Sequence, residues 1–168
     1  MDISAHAHID GGYKCTCTSP TLKDGSHTIS VKASDNDGNA AAAKTATFTV
    51  DTVPPTLQIT APSNNLITNK KTVTVSGKTD DVSSKPVTVT VNGATVTVGT
   101  DGTFTKDVTL AEGANTITIV AKDKAGKTTT VTRKVTVDTS APVIKSVTLT
   151  PNPVDCGKTF IIAVEITD

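Results

Sequence analysis

The chain has 168 residues, 36% of them hydrophobic, and its sixteen basic side chains are cancelled by sixteen acidic ones. The charges are scattered, so the basic stripe with which a nucleic-acid binder neutralises phosphates is missing. No apolar run reaches the roughly eighteen residues of a membrane-spanning helix, and MDISAHAHIDGG lacks the basic and apolar regions of a signal peptide.

Met1–Ile9 alternates Ile3, Ala5, Ala7 and Ile9 with Ser4, His6 and His8, as a strand does; Asp10-Gly11-Gly12 turns it and Tyr13–Thr18 returns. A two-residue loop at Gly11-Gly12 would gather His6, His8, Cys15 and Cys17 on one face, residue types that suit zinc. A three-residue loop instead buries the alanines with two small hydrophobic thiols, and is the simpler reading. With Cys156 the thiols number three, which leaves one unpaired and fits reduced cysteine from synthesis in a cytosol. His27–Ala33 and Thr45–Val50 are strands on either side of the turn Asp35-Asn-Asp-Gly-Asn39. Asp35, Asp37 and Asn39 offer oxygens at alternate positions, like half of a calcium loop. A distal glutamate is lacking, and the matching turn Asp123-Lys-Ala-Gly126 has lost that ligand set. A solvated hairpin turn is thus the bland alternative, and a calcium site there would need an oxygen from Asp51 or the linker.

From Pro54 onward the chain reads as seven strands: Thr56–Thr60, Thr72–Ser76, Val87–Val91, Ala94–Val98, Thr103–Leu110, Asn115–Lys122 and Thr129–Val137. Asn92-Gly93 supplies the positive φ angles of a two-residue hairpin turn. With four aromatics in the chain (Tyr13, Phe48, Phe104, Phe160), the core must be Val, Ile and Leu. Ile117, Ile119, Ala121, Val135, Val137, Phe104 and Leu110 are expected to face it. Arg133 falls on the same parity, which predicts a bulge or a rim position. Two further strands, Ile144–Thr150 and Thr159–Thr167, close the chain.

The sequence repeats itself. HTISVKASDNDGN from His27 returns as NTITIVAKDKAGK from Asn115, 88 residues on, and Thr49-Val-Asp-Thr52 returns as Thr136-Val-Asp-Thr139 after 87. Lys71–Val75 corresponds to Lys158–Ile162, again after 87. A period of that length is a whole domain rather than a solenoid unit. It predicts a complete unit at residues 52–138, flanked by the last strands of one at 1–51 and the first strands of another at 139–168. Short proline-containing joins predict a short rod. Many short strands without helix define an all-β antiparallel sandwich in tandem copies.

With TVTVSG, VTVNGATVTV, DGTF, LAEGANTITIVAKDKAG and TVDTSAP in this order, the middle unit resembles the bacterial Ig-like domains of the glucodextranase domain-B type. The resemblance implies an immunoglobulin-like sandwich used as a spacer or adhesion module in bacterial surface proteins, beside glycan-active enzymes, or in phage tails and virions. VTLTPNPVDCGKTFIIAVEITD is similar to a segment of phage structural proteins. The chain shows no nucleophile elbow, metalloprotease helix or phosphate loop, so it reads as non-catalytic and without a resident cofactor. A role in a phage virion or tail appendage leads if Met1 is the native start, because virion proteins need no leader; in a fragment of a longer chain that argument disappears. A bacterial surface spacer or adhesin and an accessory carbohydrate-binding module are the alternatives. The expected partners are other protein chains, homo-oligomers included, or a surface glycan. Ile144, Val147, Phe160, Ile162 and Val164 are too apolar to stay in water; strand complementation by another chain would cover them, and so, in a chain cut from a longer array, would the neighbouring units.

Overall fold

The computed structural model describes residues 21–34, 37–150, 152–153 and 155–168. His6, His8, Cys15 and Cys17 therefore lie outside the described residues, as do the first two predicted strands. Among the described residues there is no helix. Twelve strands run β1 (Gly25–Val31), β2 (Lys44–Val50), β3 (Thr56–Ala61), β4 (Leu66–Thr68), β5 (Thr72–Asp80), β6 (Thr88–Val91), β7 (Ala94–Val96), β8 (Thr103–Thr109), β9 (Gly113–Lys122), β10 (Thr128–Val137), β11 (Val143–Thr150) and β12 (Ile161–Thr167).

Strands β3–β10 make a sandwich. One sheet has the order β4-β10-β9-β6-β7 and the other β3-β5-β8. Between them lie Val73, Val75, Phe104 and Leu110 from one side and Val89, Val91, Val96, Ile117, Ile119, Ala121, Val135 and Val137 from the other. All seven residues expected in the core are there. The alternation of apolar and polar residues puts one set of side chains on the inner face and threonines and lysines outside. Truncating Ile117 or Ile119, both fully buried, would cost about 2–5 kcal/mol. Asn92 and Gly93 have φ angles of 48° and 81°, and Val91 faces Ala94 across the two-residue loop. Gly77 is required by packing: a Cβ there would lie 2.5 Å from the Gln58 carbonyl oxygen and 2.8 Å from the Phe104 ring.

Two features depart from the sequence reading. β4 was not expected. It is three residues long, too short for alternation to register, and it pairs parallel to β10 from Leu66↔Val135 to Thr68↔Val137. Asn64 sets it in place by accepting the Lys134 N–H at 3.0 Å. At Arg133 there is no bulge, since β9 and β10 pair without interruption from Thr128↔Lys122 to Val137↔Gly113. Arg133 takes the rim position instead. Its guanidinium donates to the Pro62 carbonyl (3.1 Å) and the Ile59 carbonyl (3.3 Å), closing the sandwich edge where β3 and β10 approach.

The remaining strands form two separate antiparallel ladders, β1–β2 and β11–β12. Arg133→Ala should lower stability by about 1–3 kcal/mol, because the Pro62, Thr132 and Ile59 carbonyls lose a charged donor. Lys134→Ala, which alters only an exposed side chain, should stay within about 0.5 kcal/mol. Urea midpoints of the two variants compare them directly.

Candidate metal centre at the first junction

The segment joining β2 to β3 is embedded rather than loose. Asp51 and Pro55 are buried while the three residues between them are exposed. Thr129 donates its hydroxyl to the Pro55 carbonyl at 2.5 Å. Thr52 donates its N–H and hydroxyl to the Asp24 carboxylate. The same clamp recurs one period later, where Thr139 donates its N–H and hydroxyl to Glu112, both at 2.8 Å. Those bonds, the backbone N–H of Thr139 first, hold the Glu112 carboxyl below its ordinary pKa.

Beside this join, Asp51, Asp81 and Asp123 bring a carboxylate oxygen each to within 4.8 Å of one another. Each stands just past the end of a strand: β2, β5 and β9 respectively. Each also spends one oxygen on its own turn. Asp51 Oδ1 accepts the Val53 N–H at 3.1 Å. Asp81 Oδ1 accepts those of Ser83 and Ser84 at 2.8 and 2.7 Å. Asp123 Oδ1 accepts the Lys127 N–H at 2.8 Å. The Asp81 and Asp123 turns are tied together by Lys124 N–H to Ser84 carbonyl, 3.2 Å. The local bonds hold the three carboxylates in place. Asp51 Oδ2 and Asp123 Oδ2 are buried, with no hydrogen-bond partner among the described residues. Exposure of the three residues is 8%, 6% and 5%. Among the described residues no lysine or arginine pairs with any of them; the ion pair nearby is Lys85 with Asp80 at 2.9 Å. An all-oxygen, acidic donor set of this kind suits a hard divalent cation.

The sequence reading placed its metal candidates elsewhere. Asp35 lies outside the described residues, and Asp37 and Asn39 are exposed. Asp123, in the matching turn that lacks the rest of that ligand set, is one of the three buried carboxylates. Ile144, Val147, Phe160, Ile162 and Val164 are exposed on or beside the β11–β12 ladder. His27 is bonded to the Lys23 carbonyl at 2.7 Å and packs on Phe48, with ring centroids 5.7 Å apart. Cys156 is a free, exposed thiol. No helix among the described residues is long and apolar enough to cross a membrane.

Sandwich, repeat and embedded join together define an immunoglobulin-like all-β module in tandem. Residues 55–139 match the family model for glucodextranase, domain B, and residues 2–52 match that of a bacterial Ig-like domain. The chain belongs to the glucodextranase domain-B family, within a tandem array of Ig-like domains. It is 35% identical over 123 residues to Bacillopeptidase F of Bacillus subtilis (strain 168), a match that covers 73% of this chain and 8% of that protein. Similar solved folds are the fibronectin(III)-like modules of Clostridium thermocellum CbhA (22% identity, TM-score 0.42, covering 70% of this chain and 64% of that one). Another is the tetra-tandem repeat in the extending region of a large adhesion protein (24%, TM-score 0.43, 86% and 46%).

The Glu112 clamp makes stability depend on pH in a definite direction. A carboxyl whose pKa is lowered by folding stabilises the fold above its unfolded pKa, and the contribution is lost as pH falls through the folded value. Glu112→Gln should therefore melt below the wild type at pH 7, and the two curves should converge at acid pH, once the carboxyl is protonated in the folded state too. Melting temperatures across pH 2.5–7 read this out.

Proposed function

We propose that the chain is a non-catalytic spacer and interaction segment of a larger protein, in which successive sandwiches are joined at fixed angles. The embedded join carries this reading: a linker whose Asp51 and Pro55 are buried, and whose Thr52 is clamped to the preceding ladder, resists bending. Resemblance to 8% of the length of Bacillopeptidase F supports a repeat appended to a larger bacterial protein. The virion reading rests on the closing segment, VTLTPNPVDCGKTFIIAVEITD. Antibodies against the chain distinguish them. Labelling of intact bacterial cells supports the surface spacer, and labelling confined to purified phage particles replaces it with the virion reading. The glycan-module reading has less support. An open cleft of about 410 Å³ is lined by Lys78, Asp80, Lys85, Pro86, Val98 and Thr100 among others, with no aromatic ring for a sugar to stack on.

The β11–β12 ladder is proposed as the interaction surface, with a second copy of this chain as its partner. Its register puts Ile144, Val147 and Leu149 opposite Ile166, Val164 and Ile162, so one face is apolar throughout. Phe160, Ile162 and Val164 stand 87 residues on from Val73, Val75 and Gly77, the inner face of β5. What covers that face in the complete sandwich is the β9–β10 layer, and its counterpart here is β1–β2, where Val31 is 53% and Phe48 37% exposed. Each ladder thus offers the kind of layer that would cover the other's apolar face. Gel filtration with light scattering at high micromolar concentration should give dimers or longer assemblies, reduced to monomer by Ile162→Lys. A wild-type chain that stays monomeric refutes the pairing.

A further inference from the structure

We propose that Asp51, Asp81 and Asp123 form a calcium site that pins the end of one sandwich to the loops of the next. Three carboxylates withdrawn from water at mutual distances within 4.8 Å repel one another, and burying charge without a counterion is costly. Two of their oxygens, Asp51 Oδ2 and Asp123 Oδ2, are buried and satisfied by nothing among the described residues. A cation at the centre resolves both. The spacing fits calcium: ligands on opposite sides of an ion with bonds of about 2.4 Å lie about 4.8 Å apart, and a buried, mostly protein-derived oxygen cage is calcium's habit rather than magnesium's.

A second, independent observation comes from the repeat. Shifted by one period, Asp123 corresponds to Asp35, Asp51 to Asp138, and Asp81 to Asp168, so all six positions of this type in the chain are aspartate. The other residues of the early turn are not kept, since Asp37 and Asn39 correspond to Ala125 and Lys127. Asp138 makes the same local bond as Asp51, accepting the Ser140 N–H at 3.0 Å, yet it is exposed. The set is complete where one unit's final strand, β2, meets the β5 and β9 ends of the next. Removing the ion would leave three facing charges at the joint, so calcium there would act as a lock on the angle between units. This holds whether the chain serves at a cell surface or in a virion.

The test uses the full chain stripped with EDTA, titrated with calcium chloride in a calorimeter and melted with and without the ion. One strong site per chain is expected. The sandwich should melt about 10 °C higher at calcium one hundred times the dissociation constant, with a much smaller response to magnesium. Asp123→Asn should abolish the response, and without calcium it should melt no lower than the wild type because a repelling charge is gone. Asp138→Asn, at the exposed counterpart, should respond like the wild type. If Asp123→Asn does not fold, Asp81→Asn takes its place, and the wild-type titration is decisive by itself. Equal melting in calcium and EDTA with no binding heat overturns the site. An undiminished response in the Asp123 variant does the same, and an equal response to magnesium overturns the assignment to calcium.

Discussion

β9 is paired along both edges, to β10 over its whole length and to β6 over its second half, and its inward residues Ile117, Ile119 and Ala121 are fully buried. Everything else in the complete sandwich is positioned against it. β10 carries Val135 and Val137 into the same layer and holds β4 on its far edge. The facing sheet can close only because Gly77 lets Phe104 lie against β5. With so few aromatics, the core depends on close packing of branched side chains, which tolerates neither slippage by one residue nor a cavity. A register error in β9 would turn every one of those side chains to solvent.

That dependence explains why most of the architecture can be read from the sequence. Alternation over ten residues in β9 and β10, and an Asn-Gly turn between β6 and β7, are strong local signals. β4 left none, since three residues held by the side chain of Asn64 and a parallel edge owe their conformation to β10. Arg133 shows a subtler limit. Parity correctly flagged it as anomalous on an inward row. Whether the ladder bulges or the side chain reaches the rim depends on where the free carbonyls of Ile59 and Pro62 sit, which is settled by the other sheet.

The acidic centre was hidden for the same reason in stronger form. Asp51, Asp81 and Asp123 are separated by 30 and 42 residues, and each alone looks like an ordinary turn aspartate capping its own loop. Local pattern therefore favoured Asp35, Asp37 and Asn39, which are close in sequence. The usable signal was the repeat itself: positions 35, 51 and 81 recur as aspartate at 123, 138 and 168, whereas 37 and 39 do not recur. Identity preserved across a period, in turns where glycine, asparagine or serine would serve the backbone equally well, points to a demand beyond turn formation.

The embedded join, the buried carboxylates and the apolar ladder are consequences of how the unit ends. A sandwich whose first strands begin immediately after the previous unit's last strand has no slack, so residues of the join must be accommodated in the next unit's loops. Burying Asp51 there is unfavourable unless its charge is met, and the loops after β5 and β9 bring two more charges of the same sign to that place. Burial of three like charges at one joint makes little sense as packing and good sense as a coordination shell. The ladder β11–β12 has the complementary character: Ile144, Val147 and Leu149 opposite Ile166, Val164 and Ile162 make one face apolar, like the inner face of β5. On the proposed reading, polar chemistry at the joint would set the angle between units, while apolar faces would set which strands come together.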